Sequence, residues 1–204
     1  MTNLPSLDWQ KSGGLLPAIV QDADTQQVLM LGYMNADALA QTLASKRVTF
    51  FSRSKNRLWV KGESSGHFLD LVDVTADCDQ DALLVLARPN GPTCHRGTSS
   101  CFGEGGATGI GFLAELDRVV ASRLAGGDEK SYTVRLVREG VTRVAQKVGE
   151  EGVETALAAV TANDADFTGE AADLLFHLLV LLRAKGLSLA DALAVLEKRH
   201  AAKK

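Results

Sequence analysis

Nine residues, "GEGGATGIG" at 103–111, place glycine at 103, 105, 106, 109 and 111. A stretch with so little side-chain surface cannot anchor itself in a core, and it reads as a flexible linker. That feature restricts the fold more than any other, because the sequence follows different periods on its two sides. Each side must then bury its own apolar residues. The expected organisation is 1–106 as one domain, 107–112 as a glycine-rich linker and 113–204 as a second domain.

Ahead of the linker the apolar residues come in short β-rich runs: "AIVQ", "QVLMLGYM", "RVTFFSRS", "RLWVKG", "FLDLVDVTADC" and "ALLVLAR". In "FLDLVDV" the alternation is strict. Phe68, Asp70, Val72 and Val74 fall on one side and Leu69, Leu71 and Asp73 on the other, as in a half-buried strand. One segment, "NADALAQTLAS", reads instead as a helix with Asn35 as its N-cap. Behind the linker the patterns are helical: "FLAELDRVVASRL", "SYTVRLVREGVTRVAQKVGEEGVETALAAV", "TGEAADLLFHLLVLLRAK" and "SLADALAVLEKRH". Ser131, Thr168 and Ser188 stand where N-caps belong, and Ser188 with Asp191 resembles a capping box. Gly140 and Gly152 lie inside the long second pattern, each costing about 1 kcal/mol relative to alanine. A kink near Gly140 would split that pattern in two. The first domain is therefore expected to be α+β, mostly β, and the second an all-α bundle of four or five helices.

A formal net charge of -3 and a pI near 5.8 leave no basic footprint for nucleic acid or an anionic membrane surface. The longest apolar run, "LLFHLLVLL" at 174–182, is too short to span a bilayer and contains a histidine. The start, "MTNLPSLDWQ", has neither a basic n-region nor an apolar h-region, so no secretory signal is expected. With 3 cysteines and no export signal, thiols or metal ligands are expected rather than disulfides. The expected compartment is the cytoplasm.

The cysteines are Cys78, Cys94 and Cys101, in "DCDQD", "GPTCHRG" and "SSCFG". Taken singly, each would read as a small buried hydrophobe. Their neighbours argue otherwise: Cys94 and Cys101 flank the polar loop "HRGTSS", and Cys78 lies among carboxylates. Three thiolates are soft donors that suit zinc, and three protein ligands rather than four leave a position for water. Such a water is acidified towards neutrality and supplies hydroxide. Asp77, Asp79 and Asp81 are hard oxygen donors that suit Mg2+. If "DCDQD" is extended, its period of two puts the three aspartates on one face and Cys78 on the other. A solvated acidic turn is the competing reading.

"FFSRSKNRLWVKGESSGH" at 50–67, then "DCDQDALL", then "CHRGTSSCF" together resemble phosphoribosyl-AMP cyclohydrolase, a match running from "LPAIVQDADTQQVLMLGYMN" through Phe102. The resemblance implies hydrolysis of the N1–C6 bond of the adenine ring of phosphoribosyl-AMP, in histidine biosynthesis. It implies zinc on Cys78, Cys94 and Cys101, magnesium on Asp77, Asp79 and Asp81, and a homodimer whose zinc site is assembled across the subunit interface. Zinc-bound hydroxide would attack C6, with His95 and His67 as candidates to move protons at the ring nitrogens. Ser52, Arg53, Lys61 and Ser65 lie in a basic, hydroxyl-rich run suited to phosphate and ribose, and Arg53 can grip phosphate with a bidentate fork. Trp59 could stack on the base. Lys55 stands where the family usually has arginine, and Arg96 where threonine is common.

In the second half, "KVGEEGVET" at 147–155 and "GEAADLLFH" at 169–177 carry acidic residues at helical spacing. Glu151 with Glu154, and Glu170 with Asp173, each share a helix face. Periodic apolar neighbours, Val153, Leu157, Leu174 and Leu178, place that face near the bundle interior. Inward carboxylates from two helices make a magnesium cage. E-E-x-x-E followed by E-x-x-D resembles the all-α nucleotide pyrophosphohydrolases. "SYTVRL…KVGEEGVET…GEAADLLFHLLVLL" resembles phosphoribosyl-ATP pyrophosphatase within that group, over 113–200. By that resemblance Glu151, Glu154, Glu170 and Asp173 bind Mg2+, Glu150 positions or activates the attacking water, and Lys147 contacts phosphate. The reaction would split the α–β phosphoanhydride of phosphoribosyl-ATP into phosphoribosyl-AMP and pyrophosphate.

The two resemblances reinforce each other, because the product of the second half is the substrate of the first. A general nucleotide pyrophosphohydrolase with a degenerate zinc domain would keep only the second activity, yet every proposed first-half ligand is present. A zinc-dependent nucleic-acid-binding module would want a fourth ligand, usually paired as C-x2-C, and a basic face, and neither occurs.

Overall fold

The computed structural model describes residues 4–103 and 105–202. The chain divides into two compact units, Met1–Phe112 and Leu113–Lys204. No helix of the described residues is long and apolar enough to cross a membrane.

The six β-rich runs form six strands: β1 (Leu16–Asp22), β2 (Val28–Met34), β3 (Thr49–Ser52), β4 (Arg57–Val60), β5 (Leu69–Ala76) and β6 (Leu83–Pro89). Four of them make one sheet in the order β2-β1-β6-β5, with β1 and β6 parallel and the other neighbours antiparallel. Alternation along β1 turns Leu16, Ala18 and Val20 inward, and Leu83, Val85 and Ala87 of β6 follow the same rule. Helix α1 (Ala36–Ser45) is capped by Asn35, whose side chain accepts from the Ala38 N–H at 2.9 Å. The buried Thr42 hydroxyl donates to the Ala38 carbonyl at 2.8 Å and accepts the Thr49 N–H at 2.9 Å, which ties α1 to β3. Phe50 on β3 is fully buried against Trp59 of the paired strand β4, ring centroids 5.1 Å apart. It seats on the sheet at Gly32, where a Cβ would stand 2.4 Å from the Phe50 ring.

Two local expectations are corrected. In β5 the alternation is interrupted by a register shift between Leu71 and Asp73. Val72 is exposed, and both Leu69 and Val74 are buried, although strict alternation put them on opposite faces. The glycine-rich stretch is anchored, but through its backbone. The Gly105 carbonyl accepts from Gln27 and Ser99 at 3.3 and 3.2 Å, Ala107 is buried, and a Cβ at Gly111 would stand 2.4 Å from the Thr25 carbonyl oxygen. Small residues permit that close approach, so a stretch with little side-chain surface is held by its backbone.

The second unit is helical, with α2 (Gly111–Gly126), α3 (Tyr132–Arg138), α4 (Val141–Thr161), α5 (Asp164–Ala184) and α6 (Leu189–Ala201). Gly140, at φ 102°, separates α3 from α4 where the kink was expected. Ser188 N–H and Oγ both bond the Asp191 carboxylate, as in a capping box. Ser131 precedes α3 without a capping side-chain bond. Thr168 is no cap: α5 begins a turn earlier behind Asn163, whose Oδ1 accepts from Ala165 and Asp166, and the Thr168 hydroxyl bonds the Asp164 carbonyl. Val120, Leu136, Val144 and Val180 form the core. Beside it the Arg183 guanidinium grips the buried Asp117 carboxylate with two bonds, and Leu189 N–H adds a third at 3.3 Å, joining α2, α5 and α6.

Candidate functional site

The first unit encloses a cavity of about 600 Å3, walled by the β3–β4 hairpin, the loop that follows it and the segment after β6. Pairing of Ser52 with Arg57 across the hairpin brings both to the wall. Ser52, Trp59, Lys61, Ser65, His67, Cys94, His95 and Cys101 all line it, as the sequence reading grouped them. Arg53 does not: its guanidinium lies over the Tyr33 ring, 4.0 Å from the centroid. Lys55 and Arg57 take the wall positions instead, and Arg57 is paired with Glu63 at 2.5 Å. Antiparallel pairing through a tight turn was the signal that could have pointed to Arg57. The His67 ring lies against Gly91, where a Cβ would stand 2.8 Å from Cδ2. Gly91 has φ 111°, so a side chain there would be strained as well as blocked.

Cys94 starts a turn, its N–H bonded to the Thr98 carbonyl at 3.0 Å and its carbonyl to Gly97 N–H at 3.0 Å. Cys101 is pinned to β2 through its N–H on the Leu29 carbonyl at 2.8 Å, and Ser100 Oγ bonds the Val28 carbonyl at 2.7 Å. The two thiols thereby meet. The Arg96 backbone N–H, aided by Thr98 and Cys101, holds the Cys94 thiol below its usual range. Burial, and then the neighbouring Cys94, push the Cys101 thiol up. Cys94 Sγ is also 3.8 Å from His95 Nδ1. Burial lowers the Lys61 ammonium, opposed by the charge of Cys101 and Cys94.

Cys78 does not join them within the chain. It is exposed, is absent from the cavity wall, and no cluster of three potential ligands among the described residues includes a cysteine. Nor is "DCDQD" extended. It forms the turn between β5 and β6, with Gln80 at φ 66° and Asp77 Oδ1 accepting from the Asp81 and Ala82 N–H groups at 3.0 and 3.1 Å. The turn, not a strand face, brings Asp77, Asp79 and Asp81 within 4.8 Å of one another. The Lys11 ammonium bridges Asp79 and Asp81, the latter at 2.6 Å. Its segment docks through Asp8 N–H on the Gln80 carbonyl at 2.9 Å.

In the helical unit, ligand oxygens of Glu151, Glu154 and Glu170 lie within 4.8 Å of one another. Asp173 stands one turn beyond Glu170, outside that set. Glu151 is buried, but its apolar neighbours Val153, Leu157 and Leu178 are 60%, 56% and 41% exposed, so that face is not the interior of a single chain's bundle. Burial, then the charges of Glu154, Glu151 and Asp173, push the Glu170 carboxyl above the usual range. Lys147 bonds Glu151 at 2.6 Å and Glu150 at 3.1 Å, which raises its own pKa. Lys147, then Gln146 at 2.7 Å, hold the Glu150 carboxyl below its usual range. Tyr132 and His177 adjoin the cluster and were not singled out from sequence. A lone histidine in an apolar run, four residues after Asp173, was the available signal.

Residues 30–103 match the model of the phosphoribosyl-AMP cyclohydrolase family, and residues 113–200 that of the phosphoribosyl-ATP pyrophosphohydrolase family. A relative from Xylella fastidiosa (strain Temecula1), named histidine biosynthesis bifunctional protein HisIE, is 63% identical over 97% of this chain and 94% of its own. Relatives of the same name from Xanthomonas campestris pv. campestris and Escherichia coli K12 are 60% and 56% identical, over 97% and 95% of this chain and 94% and 95% of their own. The chain therefore belongs to the bifunctional hydrolases of histidine biosynthesis, its helical unit a phosphoribosyl-ATP pyrophosphohydrolase and its sheet unit a phosphoribosyl-AMP cyclohydrolase.

Proposed function

We propose that the two hydrolytic steps depend on different metals held by clusters of different chemistry, one complete within a chain and one completed by a second copy. The observation carrying this reading is the contrast between three converging carboxylates in the helical unit and two converging thiols in the sheet unit. The helical unit acts first, because its product is the substrate of the other.

Hard oxygen donors from two helices fit Mg2+; burial first, and then the charges of Glu154, Glu151 and Asp173, raise the Glu170 carboxyl, and a cation would offset the second of these. Glu151, Glu154, Glu170 and the adjacent Asp173 would hold it. Magnesium there would offset charge on the phosphoanhydride oxygens. Lys147 supplies a cation for phosphate, and Glu150, held below the usual carboxylate range, suits orienting a water better than taking its proton.

In the sheet unit the soft donors Cys94 and Cys101 fit zinc, and an exposed Cys78 from a second chain would supply the third thiolate. Zinc there would supply an acidified water at neutral pH. His67 and His95 move protons at the purine nitrogens, and Trp59 stacks on the base. Ser52, Ser65 and Lys61, with Lys55 and Arg57 in place of Arg53, hold ribose and phosphate. Asp77, Asp79 and Asp81 would hold a further Mg2+ once Lys11 leaves Asp79 and Asp81. The exposed apolar side chains of α4 and α5 support association into a homodimer. We place the enzyme in the cytoplasm, acting on small-molecule nucleotides.

Incubating the purified chain with phosphoribosyl-ATP should release pyrophosphate first and ring-opened product second. A thiol-selective zinc chelator should stop the reaction at phosphoribosyl-AMP. Loss of pyrophosphate release under the same chelator would contradict separate metal sites. The two units should also fold and act as separate fragments, 1–112 and 113–204. A fragment that is inert beside an active full chain would contradict that.

A further inference from the structure

His177 is buried in the middle of α5, 6% exposed, yet both of its ring nitrogens are partnered. Nδ1 lies 2.9 Å from the Asp173 carbonyl oxygen, which can only accept, so Nδ1 carries a hydrogen. In the neutral ring Nε2 then offers a lone pair, and the Tyr132 hydroxyl, 3.0 Å away, donates to it. Phe176 and Tyr132 meet the imidazole edge-on, with centroids 5.2 and 6.0 Å away, and fix its plane. Tyr132 is the first residue of α3, so a third helix is brought to the carboxylates of α4 and α5.

The fixed ring faces one carboxylate. His177 Nδ1, already bonded to the Asp173 carbonyl, is 3.6 Å from Glu151 Oε1, too far for a hydrogen bond, so that edge of the ring borders the carboxylate and limits how it can turn. Lys147 bonds the same oxygen at 2.6 Å. Both contacts fall on Oε1 rather than Oε2. A buried carboxylate such as Glu151 needs this kind of compensation, and a carboxylate free to turn would lose the convergence with Glu154 and Glu170.

We propose that Tyr132 and His177 are positioning residues of the pyrophosphohydrolase step: Tyr132 fixes the tautomer and plane of His177, and His177 orients Glu151 for divalent-metal binding. This rests on the reading that Glu151, Glu154 and Glu170 hold Mg2+. The direct probe is Mn2+ titrated into the full-length chain and followed by the electron paramagnetic resonance of the free ion. Glu154→Gln identifies the share bound by the helical unit. Tyr132→Phe, which removes only the hydroxyl of a half-exposed residue, should weaken that share about tenfold. It should raise the Mg2+ concentration needed for half-maximal pyrophosphate release by the same factor, with KM for phosphoribosyl-ATP unchanged at saturating Mg2+. His177→Asn, whose amide can reproduce the Nδ1 donor, should retain more affinity than His177→Leu. Tyr132→Phe with Mn2+ affinity within about twofold of wild type, or a lowered unfolding midpoint with unchanged affinity, overturns the positioning role alone. If Glu154→Gln binds as much Mn2+ as wild type, the metal reading falls and this inference with it.

Discussion

In the helical unit three carboxylates from α4 and α5 converge within one chain, whereas in the sheet unit two thiols meet and the third lies on an exposed turn outside the cavity. The two clusters differ in the chemistry of their donors and in how the chain assembles them. Helical spacing places i and i+3 on one face, so the E-x-x-E pattern needs only one packed helix pair to become a cage. The thiols sit on loops, where chain connectivity sets position and a second copy can supply what one chain lacks.

The sharpest way to break this comparison is to remove one ligand from each side. Cys94→Ala should cut ring opening of added phosphoribosyl-AMP by about 100-fold or more while pyrophosphate release continues. Glu154→Gln should do the reverse, with phosphoribosyl-ATP accumulating. A substitution that removed both activities equally would mean the units do not work separately.

A smaller effect is expected from packing. Gly32→Ala would place a Cβ 2.4 Å from the buried Phe50 ring, which in turn backs Trp59 on the cavity wall. Overpacking of this kind costs about 1–3 kcal/mol, read as a lower denaturant midpoint. Ring opening should fall with it and pyrophosphate release should not.

The smallest effect concerns charge. The folded Glu170 carboxyl binds its proton more tightly than the unfolded chain does, because of burial and the charges of Glu154, Glu151 and Asp173. With metal chelated, stability should therefore rise as pH falls through the window between the raised folded value and the ordinary one. Glu170→Gln should remove that rise and be more stable than wild type at neutral pH, though it binds less metal. Thermal unfolding in chelator across pH checks the sign. A wild-type chain no less stable than Glu170→Gln at neutral pH would contradict it.

Much of the architecture was legible because it depends on local period. All six β-rich runs became strands, Gly140 split the long helix, and Glu151, Glu154 and Glu170 of the four expected carboxylates lie within 4.8 Å of one another, with Asp173 outside that set. What escaped depends on contacts between distant positions or on a single backbone angle. Lys11 reaches Asp79 across 68 residues and Tyr132 reaches His177 across 45, separations on which local pattern is silent. The register shift at Val72 and the positive φ of Gln80 each turn one residue, yet they reassign a strand face and convert an expected strand into a turn. Val153 and Leu157 are exposed although their period suggests an interior face, because periodicity shows an apolar face without showing which chain covers it.

The central claim, one site complete in a chain and the other shared, is tested most directly by mixing two inactive variants. Cys78→Ala and Cys94→Ala should each fail at ring opening as homodimers while still releasing pyrophosphate. After subunit exchange, half the dimers are mixed, and in each one intact Cys78 meets the intact Cys94 and Cys101 of the other chain. The second site in that dimer lacks both ligands, so about a quarter of wild-type ring opening should return. No recovery, with exchange confirmed on native gels, would mean that Cys78 serves its own chain and that the contrast between the two sites is wrong.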